Sequence, residues 1–171
     1  MKKTISTLLL AIGFVALAVS AQAKDSKSTG KVLVLPEKIP YGENISQKVK
    51  NECNLDGKLS QFLKANGQKY FTEVKTGKSA PGDYVLNVEI YDADNRGGGA
   101  WSGSKFVTLK GQVKQNGKVL GTFTARRYTG GGAFAGFKGT CSLLGRCVKT
   151  LASDIANWAQ SPTKEARLGD S

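Results

Sequence analysis

The 171-residue chain contains no histidine, only three cysteines, and 13 acidic residues against 25 basic ones. Histidine is the usual general base of hydrolases and the commonest metal-binding side chain. Its absence excludes a serine–histidine–acid triad and a cysteine nucleophile activated by histidine. A zinc site would depend on three cysteines, which rarely complete one. We therefore expect a protein that is not an enzyme, with no cofactor and no metal site.

Nucleotide-binding motifs are missing as well. The stretch before the last predicted helix, residues 130–141, reads GGGAFAGFKGTC. In the phosphate-loop motif a lysine directly follows the last glycine, whereas Phe137 separates Gly136 from Lys138 here. The dinucleotide fingerprint requires a parallel βαβ unit that the element order does not provide. We interpret the stretch as a hinge from strand to helix. The alternative is an anion site at the helix start, formed by Lys138, Gly139, Thr140 and Arg146.

The N-terminus has the pattern of a cleaved secretory signal, residues 1–23. Lys2 and Lys3 precede the apolar run LLLAIGFVALAV, and the small residues AQA end the segment. A membrane span is the alternative, but the run is short and the polar stretch KDSKSTGK follows it. No cysteine stands at the cleavage point for lipid attachment. We expect a soluble protein of the periplasm, or a secreted one, that does not span the membrane after cleavage.

Positive charge is in excess. The formal net charge of the whole chain is +12, and about +10 remains after the signal is removed. A surplus of this size favours anionic partners, although solubility alone also explains it. We found no signature of a nucleic-acid-binding module, and export argues against nucleic acid. The expected partner is therefore an envelope protein or an anionic envelope component.

Apolar periodicity predicts a strand, a helix, three or four strands and a final helix. Asn116-Gly117 is the preferred dipeptide of a type I′ hairpin turn. This order implies an α+β fold: a four- to five-stranded, mainly antiparallel sheet with two helices packed on one face. We expect a single domain at residues 31–161, between flexible segments at 24–30 and 162–171.

The hairpin strands carry many cations, which is typical of a sheet covered on one side only. The predicted basic sheet face consists of Lys105, Lys110, Lys114, Arg126 and Arg127. A solvated face without a ligand is the alternative. Carboxylates cluster nearby in sequence, and turn formation explains them better than a calcium site because Asp and Asn favour turns. These carboxylates belong to Asp83, Glu89, Asp92 and Asp94.

The three cysteines, Cys53, Cys141 and Cys147, predict one disulfide and one free thiol after export. If Cys141 and Cys147 were both helical, six residues would separate them by about 9 Å, too far for a disulfide. A bond between these two would therefore require Cys141 to leave the helix start. Otherwise Cys53 pairs with one of them, and we favour a bond that includes Cys53.

The C-terminal third carries a family resemblance. The segments GKVLGTFTARR, the triple glycine, and CSLLGRCVKTLASDIANW followed by SP resemble a group of uncharacterised exported bacterial proteins. These are distantly similar to the small α+β envelope domains at the amino terminus of TolB and in curli-secretion lipoproteins. The resemblance, which covers about Lys118 to Pro162, implies an envelope location and helices on one sheet face, and transfers no catalytic residue. We expect a non-catalytic envelope protein-interaction or assembly module; the alternative is binding of an anionic small molecule, glycan or lipid headgroup at the last helix.

Overall fold

The computed structural model describes residues 30–94, 104–129 and 139–170. It has an α+β architecture in which helices and one mixed sheet share a core. The helices are α1 (Gln47–Cys53), α2 (Leu55–Gly67) and α3 (Thr140–Ala159). The strands are β1 (Val32–Leu35), β2 (Glu73–Thr76), β3 (Tyr84–Ala93), β4 (Phe106–Gln115), β5 (Lys118–Tyr128) and β6 (Ala166–Gly169). The strand order in the sheet is β2-β1-β3-β4-β5-β6.

The α+β class is as predicted, but the sheet has more strands than expected and is mixed. β3, β4 and β5 form an antiparallel meander. The β4–β5 turn has Asn116 at φ 50° and Gly117 at φ 78°, the two positive φ angles of a type I′ turn. β1 is parallel to both β2 and β3, and β6 is parallel to β5. Helices connect β1 to β2 and β5 to β6, which allows these parallel pairings, and the non-helical residues 77–83 connect β2 to β3.

The first predicted helix is two helices. Asn54, between α1 and α2, adopts the left-handed conformation at φ 47°, which interrupts the helical hydrogen bonding. The Tyr41 hydroxyl caps the second helix: it accepts hydrogen bonds from Leu55 N at 3.0 Å and Asp56 N at 3.1 Å. The same hydroxyl donates to the Asp56 carboxylate at 2.8 Å. A distant side chain therefore satisfies the first amides of α2.

The core lies between the helices and one face of the sheet. α3 packs on β4 and β5 and against α2, while α2 packs on β1 and β2. Gly111 on β4 stands where a side chain would collide with Phe123, since a Cβ there would lie 2.7 Å from the Phe123 ring. That ring covers the glycine and meets Trp158 of α3 edge-on, with centroids 4.9 Å apart. The layers are thus joined by aromatic packing at the centre of the sheet.

Cys53 and Cys141 form the disulfide, with Cα atoms 4.8 Å apart, and Cys147 is free and buried. The prediction that Cys53 is in the bond is confirmed. Cys53 is the last residue of α1 and Cys141 is the second residue of α3. The disulfide therefore joins the end of α1 to the start of α3. Within the described ranges, no helix combines the length and apolar character needed to cross a bilayer.

The C-terminal segment differs from the flexible tail that we predicted at residues 162–171. Thr122 N donates to Thr163 O at 3.2 Å, and Ala166 and Leu168 pack against the core. Asp170 completes the attachment: its carboxylate accepts from Arg127 and from Tyr128 N, both at 3.0 Å. In the sequence of this segment only Ala166 and Leu168 alternate as apolar residues, and two residues are too few to predict a strand. Residues 1–29 lie outside those described, so the signal peptide and the flexible N-terminus remain predictions.

Candidate functional site: the open sheet face

The helices cover one face of the sheet, and the opposite face defines the candidate site, here called the open face. Side chains alternate along each strand, so the residues between the core positions point to this face. The open face consists of Asn87, Glu89, Tyr91 and Asp92 on β3, Phe106, Thr108, Lys110, Gln112 and Lys114 on β4, Thr122, Thr124, Arg126 and Tyr128 on β5, and Arg167 on β6.

An aromatic–cation pair occupies the middle of the open face. The β3–β4 register shifts between Ile90 and Asp92, and this bulge leaves Tyr91 as an extra residue beside Lys110. Lys110 Nζ lies 3.3 Å from the centroid of the Tyr91 ring. The ring is nonetheless 38% exposed. The ammonium group is therefore held in place by a ring that still offers surface to a ligand.

A second aromatic–cation group lies where β4 begins and β5 ends. Phe106 and Tyr128 are direct neighbours across the two strands, with ring centroids 5.7 Å apart. The Arg126 guanidinium lies 4.2 Å from the Phe106 centroid and 5.0 Å from that of Tyr128. Tyr128 is 42% exposed. Arg126 Nε is buried and has no hydrogen-bond partner within the described part of the chain, so the rings are what hold this guanidinium.

Two grooves flank Lys110. The first has a volume of 390 Å³ and is lined by Asn87, Glu89 and Gln112 on the strands and by Pro40 at its rim. The second, of 530 Å³, is lined by Thr124, Glu165 and Arg167. Lys110 and Thr122 line both grooves. The grooves therefore adjoin at Lys110 and Thr122, and their linings together include residues of β3, β4, β5 and β6.

The charge of the open face is mixed rather than basic. Its cations are Lys110, Lys114, Arg126 and Arg167, and the carboxylates of Glu89, Asp92 and Glu165 lie on it or border its grooves. Of the five residues predicted for a basic face, three, Lys110, Lys114 and Arg126, lie here. The excess of positive charge in the whole chain is thus not concentrated at this site.

Lys105 and Arg127 lie elsewhere, which corrects the prediction. Lys105 is fully buried, with Nζ 4.0 Å from the Asp94 carboxylate. Arg127 is the strand neighbour of Val107, a core position, and therefore points to the helix side. Both residues share the alternation of Val107 and Leu109, so strand periodicity alone could have assigned them inward. The same periodicity places Phe106 and Tyr91 on the open face, and the bulge beside Tyr91 brings Asp92 to this face as well.

The residues predicted for anion binding at the last helix are only partly described. Gly139 is the N-cap of α3 and makes no side-chain capping hydrogen bond; Thr140 is the first helical residue, and Lys138 lies outside the described residues. Arg146 is exposed and lines a 180 Å³ cleft with Arg127, Cys147 and Thr150. Two cations therefore share a small cleft between α3 and the end of β5.

The clustered carboxylates that raised a calcium alternative are separated in the structure. The Asp83 carboxylate accepts from Lys75 at 2.8 Å and from Ala80 N at 2.7 Å, and the Lys75 ammonium holds the pKa of Asp83 below its usual value. Asp94 pairs instead with Lys105. In residues 30–94, 104–129 and 139–170, no three His, Cys, Asp or Glu side chains are grouped as metal ligands.

No protein-family model matches the chain, and no curated protein matches it. Among solved structures, a PelC variant dodecamer from Paraburkholderia phytofirmans is similar at 17% identity over 78% of this chain and 87% of that chain, with a TM-score of 0.45. A minor lipoprotein from Acinetobacter baumannii is similar at 20% identity over 77% and 93%, with a TM-score of 0.43. Likenesses this distant carry no argument about function. The predicted relation to the TolB amino-terminal domain is not among these findings and remains a prediction.

Proposed function

We propose that the protein is a non-catalytic binding module of the bacterial envelope that holds an extended partner on the open face. The observation that carries this proposal is the arrangement around Lys110: this residue lines both grooves, and its ammonium group packs on the exposed Tyr91 ring. A second ordered group, Arg126 with Phe106 and Tyr128, lies on the same face. Envelope location rests on the secretory signal predicted at residues 1–23.

The order of the open face favours binding over simple solvation. A solvated face needs charged side chains that are free to move, whereas Lys110 and Arg126 are fixed against aromatic rings. Fixing such side chains before a ligand arrives reduces the conformational entropy lost on binding. The two most exposed large hydrophobic side chains among the described residues, Tyr91 and Tyr128, are both here. Exposed aromatic residues beside polar grooves are typical of binding surfaces.

A sedimentation assay tests this proposal. The mature protein, residues 24–171, is incubated with washed envelope fragments from the bacterium that produces it, and the bound fraction is measured. We expect the double variant Tyr91→Ala/Tyr128→Ala to lose binding by about tenfold. Lys149→Ala, which removes an exposed lysine from α3 on the helix side, is the control and should bind as the natural protein does. Equal binding by all three proteins would refute the open face as the binding surface.

The cleft at α3 supports a second candidate function, binding of a small anion. Arg127 and Arg146 line this cleft together with the Thr150 hydroxyl. Inorganic phosphate should then raise the unfolding temperature, and Arg146→Ala should remove that rise while Lys149→Ala preserves it. If phosphate stabilises Arg146→Ala as much as the natural protein, the cleft is not an anion site.

A further inference from the structure

We infer that the partner of the open face is a hydroxyl-rich glycan chain of low charge density. This inference rests on the proposed function, because it identifies the chemistry of the ligand for the same surface. Three observations lead to it: the kinds of polar group that line the grooves, the exposed rings beside them, and the balance of charge. The charge balance argues against nucleic acid, and a fourth observation, the shortage of apolar surface, argues against a protein partner.

The groove walls carry side chains that bind hydroxyl groups. The Asn87 and Gln112 amides each offer a donor and an acceptor side by side, and Glu89 is a two-oxygen acceptor in the same groove. Thr122, which lines both grooves, has a hydroxyl that accepts from Glu165 N at 2.9 Å and can donate its own hydrogen to a ligand. Neighbouring hydroxyls on a sugar ring present the same alternation of donor and acceptor. A chain of sugars can therefore exchange its hydrogen bonds with water for hydrogen bonds along both grooves.

The aromatic side chains supply the apolar part of sugar recognition. A pyranose ring has a face of C–H groups, which packs on an exposed aromatic ring. Tyr91 and Tyr128, on β3 and β5, are both exposed on the open face, so one glycan chain crossing the strands can contact both. The cations already packed on these rings, Lys110 and Arg126, add hydrogen-bond donors at the edge of each platform.

The charge balance argues against a dense polyanion such as nucleic acid. A nucleic-acid groove is lined by cations that neutralise successive phosphates. Here Glu89 borders the first groove and Glu165 the second, each close to Lys110 in the groove lining. A phosphate chain following either groove would meet a carboxylate as well as an ammonium group. A ligand rich in hydroxyl groups and poor in charge has no such penalty.

The shortage of apolar surface argues against a protein partner. The centre of a stable protein interface is mainly apolar and contains well-buried anchor residues. Among the described residues, Tyr91 and Tyr128 are the large hydrophobic side chains with high exposure. The grooves on either side of Lys110 are lined largely by amides, hydroxyls and charged groups. This composition fits a glycan better than the assembly partner expected from the sequence.

A glycan array tests the ligand class directly. The mature protein is applied to neutral, amino and acidic glycans at 0.15 M and 0.5 M salt. We expect binding to neutral or sparsely charged chains that changes by about threefold at most between the two salts. Tyr91→Ala and Tyr128→Ala should each weaken it about threefold, and Lys149→Ala should not. Absence of glycan binding, or binding confined to dense polyanions and lost at 0.5 M salt, would overturn the inference.

Treated envelope fragments separate failure of this inference from failure of the proposed function. One sample is oxidised with periodate, which cleaves sugars at adjacent hydroxyls, and the other is digested with protease; both are then washed and incubated with the protein. We expect periodate to abolish binding that depends on Tyr91 and Tyr128, and protease to preserve it. Loss after protease with no effect of periodate would refute the glycan and leave the open face as a protein-binding surface. If substitution of both tyrosines left binding to untreated fragments unchanged, the proposed function itself would be refuted.

Discussion

Cys147 lies on the buried side of α3, where its thiol donates to the Lys105 carbonyl across 4.0 Å. Burial raises the pKa of this thiol to about 11 from its ordinary value of 9.0. At neutral pH the group is therefore a protonated, unreactive thiol, although it lies only six residues from the disulfide-bonded Cys141. A thiol held in this form attacks a disulfide poorly because the thiolate is the nucleophile. Burial thus protects the Cys53–Cys141 pairing from exchange.

The raised pKa predicts a loss of stability in alkali. Between pH 9.0 and about 11 the folded protein keeps the Cys147 proton that the unfolded chain releases, so the free energy of unfolding falls as pH rises through this window. The loss from this group is about 2 kcal/mol. Urea unfolding at pH 8, 10 and 11 measures it, with Cys147→Ala as the comparison. The natural protein should lose more stability than the variant over this range; parallel curves would contradict the assignment.

Tyr41 shows which residue roles escape sequence reading. Its hydroxyl caps α2 from outside the helix, across 14 residues of chain, and accepts from Leu55 N and Asp56 N. Sequence rules look for the cap directly before the helix, where Asn54 stands without making a side-chain capping bond. The break itself was recognisable near Cys53, because asparagine tolerates the left-handed conformation. The side chain that completes the helix start depended on the tertiary fold.

Among the elements, β6 is the one whose existence the sequence did not indicate. Its side chains alternate between the two faces of the sheet. Leu168 packs partly on the core, and Arg167 is exposed on the open face. This alternation predicts unequal effects of two neighbouring substitutions. Leu168→Ala should lower the free energy of unfolding by about 1 kcal/mol, since part of a leucine side chain leaves the core. Arg167→Ala should leave stability within about 0.5 kcal/mol of the natural protein.

Urea unfolding of both variants at neutral pH provides the measurement. A flexible C-terminus would make the two substitutions equally harmless, and that result would contradict β6.

Deleting residues 164–171 extends the test, because it uncovers the edge of β5. Unpaired strand edges promote association, so we expect the shortened protein to elute from a sizing column as larger species.

The meander and α3 were predictable because each repeats one signal over ten or more residues. The core positions of β3, namely Tyr84, Leu86, Val88 and Ile90, follow the alternation seen in the sequence. Asn116-Gly117 predicts the turn between β4 and β5, and the apolar residues spaced by three and four from Leu144 to Trp158 predict α3. The parallel strands β1, β2 and β6 are four residues each, so their pairing depends on contacts between distant segments. The open face needed both kinds of information. Periodicity assigns Phe106, Lys110 and Tyr91, but the bulge that adds Asp92 and the shape of the grooves follow only from the assembled sheet.

At the scale of the whole molecule, the helix layer and the open face of the sheet carry different features. The helix layer holds the disulfide, the free thiol and the small cleft at α3, whereas the open face holds the grooves and exposed rings. The Cys53–Cys141 bond closes a loop of 88 residues that includes β2, β3, β4 and β5. Cross-linking so long a segment stabilises the fold chiefly by restricting the unfolded chain.

This separation predicts that stability and binding respond differently to loss of the disulfide. Cys53→Ala/Cys141→Ala should lower the free energy of unfolding by about 4.6 kcal/mol, as the chain-entropy relation gives for a loop of this length. Binding to envelope fragments should remain unchanged in conditions where the variant is folded, because the bond lies on the helix side, away from Lys110 and Tyr91. Urea unfolding without reductant measures the first effect and sedimentation the second.

The variant Tyr91→Ala/Tyr128→Ala should show the reverse, with weak binding and near-natural stability. If removing the disulfide weakened binding while the fold persisted, the open face would depend on the helix layer, and the division of the molecule into a stabilising layer and a binding layer would be wrong.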